Sequence, residues 1–168
     1  MMVALAQVLS YIKLMELPNG GSLTPAMFPI LLFAVRWGLA PGLMAGFTFG
    51  LLQLIFDGAY AWGWQSMLLD YLVAFMALGT AEFFARPFKN RMVGVAVGTA
   101  IAGFLRFMCS FLSGVLVWGN LNEGLSAWTY SLVYNASYML PETLITVVGA
   151  VLLIKAAPQI FDRQYTKA

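Results

Sequence analysis

Histidine is absent from this chain of 168 residues, and cysteine occurs once, at Cys109. Without imidazole, the usual zinc, haem and Ser-His-Asp centres cannot be assembled, and a lone cysteine forms no intrachain disulfide. The GxxxxGK[ST] phosphate loop is also missing, so the chain has no P-loop route to ATP hydrolysis. Charge is scarce as well, at 10% of residues against about 25% in soluble domains. These absences remove most enzyme classes; no cofactor and no nucleic-acid partner is expected.

What remains is apolar: 61% of residues are hydrophobic and the mean hydropathy is +0.83. That composition predicts an integral membrane protein surrounded by lipid. Met1 to Met15 has no basic leader or small-residue cleavage site, so it is read as a first helix rather than a signal peptide. Six apolar runs follow one another, at Met2 to Leu17, Leu23 to Gly38, Pro41 to Ile55, Trp64 to Ala85, Met92 to Trp118 and Ser126 to Ala156. The predicted fold is an all-α, six-transmembrane-helix bundle, one membrane domain over residues 1–168, without repeats or linkers.

The basic residues orient it. Arg36, the group Arg86, Lys89 and Arg91, and the group Lys155, Arg163 and Lys167 fall on one side of a six-span bundle, which the positive-inside rule makes cytoplasmic, with both termini. The opposite stretches, Asn19 to Ser22, Asp57 to Gly63 and Asn120 to Gly124, contain no Lys or Arg. An unphosphorylated ligand is therefore expected. Gly42, Gly46 and Gly50, and Gly94, Gly98 and Ala102, form small-residue stripes that let helix backbones approach, inside this bundle or against another subunit. Pro141 lies within the last span, where it frees a carbonyl and can kink the helix.

Asp70 stands in an apolar run beside Tyr60, Trp62, Trp64 and Tyr71. A carboxylate at membrane depth is costly and marks a functional site by default, and aromatic faces around it attract organic cations. Counting rise per residue from the outer helix ends places Asp70 and Tyr71 about 9 to 11 Å deep, Gly114 about 6 Å, Ser110 about 12 Å, Tyr130 about 6 Å and Asn135 about 14 Å. Ser110, Gly114 and Trp118 share one stripe, with Gly114 leaving room beside the indole. Hydrogen-bonding groups and flat rings at one depth suit a flat, cationic small molecule; belt aromatics at the interface are the plainer account of Trp118 and Tyr130. Arg106 and Glu142, a turn deeper, are expected to pair as a strut under the floor.

The ordered segments GGSLTPAMFPI, RWGLAPGLMAGFTFGLLQ, LLDYLVAF, RFMCSFLSGVLVWG and YSLVYNAS resemble the thiamine-specific S components (ThiT/YuaJ family) of energy-coupling factor (ECF) transporters, from about Ala4 to Phe161. The resemblance implies a six-helix subunit of the bacterial cell membrane, with a pocket open to the outside and covered by the first loop. It also implies partnership with a membrane-embedded T component and two cytoplasmic ATPases. On matching positions, Trp118 stacks on the aminopyrimidine of thiamine, Asp70, Tyr130 and Asn135 hydrogen-bond it, Tyr71 flanks the thiazolium, and Gly114, Tyr60 and Phe49 complete the wall.

Three positions depart from the family pattern. Asp70 stands where the family has glutamate, and Ser110 where it has a histidine that stacks on the thiazolium. Losing that ring removes about 1 kcal/mol of stacking, which opens a second reading, a carrier of the hydroxymethyl-pyrimidine precursor. The family docks its partner through AxxxA on the first helix; here Ala4 would be the second alanine, which predicts a natural start upstream of Met1, while Ala6 and Ser10 keep one small pair. From another class, a structural or assembly protein without ligand would use the glycine stripes alone. An Asp70–Glu142 acid dyad is opposed by a depth difference of about 10 Å.

Overall fold

A computed structural model of the chain describes residues 1–18, 20–57, 63–118 and 126–161. Its first helix, α1 (Met2–Ser10), stops well short of the expected Leu17. Residues Met15–Glu16 (β1) and Ser22–Leu23 (β2) pair antiparallel instead, Met15 opposite Leu23 and Glu16 opposite Ser22. The reason is in the turn chemistry: Pro18 disfavours helix before it, and Gly20 adopts φ 87°, a conformation glycine enters at no steric cost. Leu17 N–H closes the hairpin onto Gly21 O at 2.7 Å. The second helix likewise begins later than Leu23, because Pro25 holds Thr24 out of helical conformation; α2 spans Met27–Trp37.

The remaining helices follow the apolar runs closely. They are α3 (Leu39–Asp57), α4 (Gly63–Ala85), α5 (Arg91–Val117) and α6 (Ala127–Ala156), each long and apolar enough to cross a membrane. Helices α1 and α2, with 9 and 11 residues, are shorter. Pro41 sits in the first turn of α3, where its missing N–H costs nothing. Asn90 starts α5 by accepting from Met92 N at 3.0 Å, and Ser126 starts α6 by accepting from Thr129 N at 3.2 Å. Pro141 lies inside α6, and the helix continues past it to Ala156. A 3₁₀ turn, Pro158–Phe161, follows.

The glycine stripes act within the chain. A Cβ at Gly42 would lie 2.7 Å from Gly79 O, one at Gly50 2.5 Å from Tyr71 O, and one at Gly46 would run into the Phe75 carbonyl. A Cβ at Gly94 would lie 2.6 Å from Ala85 O. Helix α4 is thus held backbone to backbone between α3 and α5, the close approach that small residues permit. Short α2 lies inside the bundle, with Met27, Ile30, Leu31, Ala34 and Val35 all buried in the main core.

One end of the molecule brings Arg36 and Arg91 together. Arg91 bonds Glu82 at 2.8 Å, Val35 O at 2.8 Å and Phe161 O at 3.0 Å, while Arg36 donates to Ile160 O at 3.1 Å. The ends of α2 and α4, the start of α5 and the C-terminal turn meet there.

Candidate solute-binding site

Asp70 is placed by an unusual stretch of α4. Met67–Val73 winds as a π-helix, the wider turn often found at functional sites. Ser66, four residues earlier, donates to Asp70 Oδ2 at 2.8 Å, and Ser113 of α5 donates to the same oxygen. Tyr71 donates to Asp57 O at 3.1 Å and so ties this turn to the end of α3. A second π stretch, Gly114–Trp118, ends α5. Gly114 is required there, because a Cβ would collide with Ser131 Oγ of α6.

Helix α6 turns a polar face inward, with Ser131, Asn135, Tyr138 and Glu142 all buried at helical spacing. Beside it runs a stripe of tyrosines: Tyr130 and Tyr134 stack at 5.8 Å between centroids, and Tyr134 meets Tyr138 edge-on at 5.9 Å. The hairpin is fastened to this stripe, since Gly21 N–H donates to Tyr134 Oη at 2.9 Å.

Between these elements is a cavity of about 130 Å³. Phe49 of α3, Asp70 and Tyr71 of α4, Ser110 and Gly114 of α5, and Tyr130 and Asn135 of α6 line it. Seven residues singled out in the sequence are thereby brought around one space. Tyr60 lies outside the described residues, as does the side chain of Trp118, whose backbone ends the second π stretch.

Arg106 and Glu142 also border the cavity and bond at 2.6 Å. Thr24, just before α2, donates to the other Glu142 oxygen at 3.3 Å, and the Arg106 guanidinium lies 4.7 Å from the Phe75 centroid. The charges are compensated at depth by each other, by a hydroxyl and by an aromatic face, as buried ions require.

Two expectations change. Lys13, taken as part of a first helix, lies beyond the end of α1 on the cavity wall, where it pairs with Glu16 at 2.8 Å. A cation therefore does stand at this cavity, and the ground for excluding phosphorylated ligands falls. Ala6 and Ser10, read as a small pair facing a partner, are buried, and Ser10 lines the cavity. Residues four apart share a helix face, but Ala4 and Ala6 are about 200° apart, and only Ala4 is exposed.

Reading the sequence missed much of the wall: Gln53, Ser66, Ser131, Tyr134 and Tyr138, with Gly20, Gly21 and Ser22 of the hairpin. Two signals were available. Ser66 is four residues before Asp70, and Tyr130, Tyr134 and Tyr138 repeat every four, so each set shares a helical face.

Apolar helices of membrane-crossing length closed around a buried polar cavity define a helical membrane protein built to hold a small solute. The chain belongs to the thiamine transporter protein family (Thia_YuaJ), whose pattern it matches over residues 1–162. That is a family of transporters, not of enzymes. The thiamine transporter ThiT of Bacillus subtilis is 33% identical over 171 residues, covering 95% of this chain and 89% of the relative. ThiT of Lacticaseibacillus paracasei is 33% identical over 174 residues, covering 94% and 85%. The solved structure of ThiT from Listeria monocytogenes superposes with a TM-score of 0.83 at 26% identity, over 95% of this chain and 92% of that one. The fold is shared with the S component of a bacterial ECF transporter, at a TM-score of 0.64 and 18% identity over 96% and 94% of the two chains.

Proposed function

We propose that this chain is the substrate-capturing S component of an ECF importer in a bacterial plasma membrane, taking thiamine from the outside and passing it inward with a T component and two cytoplasmic ATPases. In this reading the six helices form one bundle in the bilayer with both termini inside, α1 and α2 reaching through only part of its thickness. The clustering of Arg36 and Arg91 with the C-terminal turn at one end supports that orientation.

The observation that carries the reading is the joint lining of one cavity by Phe49, Asp70, Tyr71, Ser110, Gly114, Tyr130 and Asn135. Asp70, Tyr130 and Asn135 hydrogen-bond the aminopyrimidine, Trp118 stacks on it, Tyr71 flanks the thiazolium, and Phe49, Gly114 and Tyr60 complete the wall. A cationic ring against a carboxylate and tyrosine faces gains both charge attraction and about 0.5 to 2 kcal/mol per aromatic contact. Ser110 on the wall favours a second reading, capture of the hydroxymethyl-pyrimidine alone, since that ligand has no thiazolium to stack.

Titration of intrinsic tryptophan fluorescence in detergent, with thiamine and with the pyrimidine alcohol in parallel, separates the two. Saturable quenching by thiamine that is lost in Trp118→Ala and Asp70→Asn is the expected result. Response to the alcohol alone transfers the assignment to the precursor, and silence with both removes the solute-binding reading.

A further inference from the structure

Asn135 of α6 is 5% exposed, and all but one of its hydrogen-bonding sites are occupied within the protein. Its Nδ2 lies 2.9 Å from Ser131 O, 3.4 Å from Ser110 O and 3.2 Å from Ser131 Oγ. Backbone carbonyls can only accept, so the NH₂ end must face them; turning the amide round would set oxygen against oxygen. Ser131 gives its own hydroxyl proton to Phe111 O at 2.7 Å, which leaves Oγ as an acceptor toward Asn135. At the other end of the amide, Tyr138 donates to Asn135 Oδ1 at 3.1 Å. A carboxamide has two N–H donors and two lone pairs on oxygen. Both donors are spent, one lone pair is spent, and what remains is a single acceptor. Asp70, an acceptor when ionised, stands on the same cavity with Oδ2 already holding two serine donors.

We propose that Tyr138 and Ser131 are positioning residues that lock the Asn135 amide as a hydrogen-bond acceptor, so that the cavity selects a ring amino group and rejects the isosteric ring carbonyl. The inference rests on the thiamine reading, in which the group presented to Asn135 is the exocyclic amine of the pyrimidine. Oxythiamine, a lactam with a carbonyl at that position, sets an oxygen against the Asn135 oxygen and leaves that acceptor unpaired. Sites built to pair a particular polar group reject the unmatched analogue by large factors, because the buried partner is left without a bond.

The test is titration of the full-length protein in detergent with thiamine and with oxythiamine, for the wild type, Tyr138→Phe and Ser131→Ala. The wild type is expected to prefer thiamine by about 100-fold or more. Tyr138→Phe removes the donor at the oxygen end of the amide, and Ser131→Ala leaves its second N–H only the longer contact to Ser110 O at 3.4 Å; in each the preference should shrink by about tenfold. A side chain that merely supports the fold would weaken both ligands together and leave the ratio unchanged. Unfolding temperature and elution volume identify any variant that fails to fold, in which case the other carries the comparison. No thiamine binding by the wild type overturns the thiamine reading, and the inference with it. Thiamine binding with an equal affinity for oxythiamine, or with a ratio unmoved in the folded variants, overturns the inference alone.

Discussion

Glu142 shows at the level of one residue how this chain carries charge inside an apolar body. It is 2% exposed, and its two oxygens face Arg106 and Thr24 from different segments. Removing one partner of a buried pair leaves the other uncompensated, which typically costs about 3 to 5 kcal/mol. Glu142→Gln should lower stability by that order in denaturant unfolding of the micellar protein, and a loss under about 1 kcal/mol would mean that water reaches the pair. Asp70 is handled differently. The hydroxyls of Ser66 and Ser113 donate to it, and no salt bridge joins it among the described residues. Serine donors hold a carboxylate in place while leaving its charge for a cationic ligand.

At the scale of elements, the site depends on how closely α4 is clamped. Its π turn lies opposite Gly50 and its next turn opposite Gly46, so the carboxylate is positioned by a backbone contact rather than by side-chain interdigitation. Gly46→Leu drives a side chain into the Phe75 backbone and should abolish recovery of monodisperse protein. Gly149→Ala places its Cβ 3.4 Å from the Phe28 ring, an ordinary contact, and should leave the elution profile and unfolding temperature unchanged. Equal tolerance of the two would show that the stripe on α3 does not set the α3–α4 distance. The hairpin is the other decisive element: it brings Lys13, Gly21 and Ser22 to a cavity otherwise made by helices.

The whole molecule has two unlike ends. Arg36, Arg91 and the C-terminal turn are bonded together at one, and the proposed orientation makes that end cytoplasmic. In a Cys109→Ser background, Ser22→Cys should react with an impermeant maleimide on intact cells, and Lys89→Cys only after permeabilisation. The reverse pattern would invert the molecule and place the hairpin inside.

Composition and periodicity by themselves determined the membrane class, the last four helices to within a few residues, and the grouping of Asp70, Ser110, Gly114, Tyr130 and Asn135 around one space. Those properties follow from local quantities: hydropathy, rise per residue, and the cost of a charge in an apolar run. Only the tertiary structure decided the rest. Pro18 and Gly20 turn the chain back between Met15 and Leu23, but where that hairpin lies was decided by its bond to Tyr134, more than a hundred residues away in the chain. Which way Ala6 and Ser10 face was settled by what α1 packs against, and the direction of the Asn135 amide by carbonyls and a hydroxyl that no spacing rule collects. Periodicity says which residues share a face, but the partner of that face is chosen by packing across the chain.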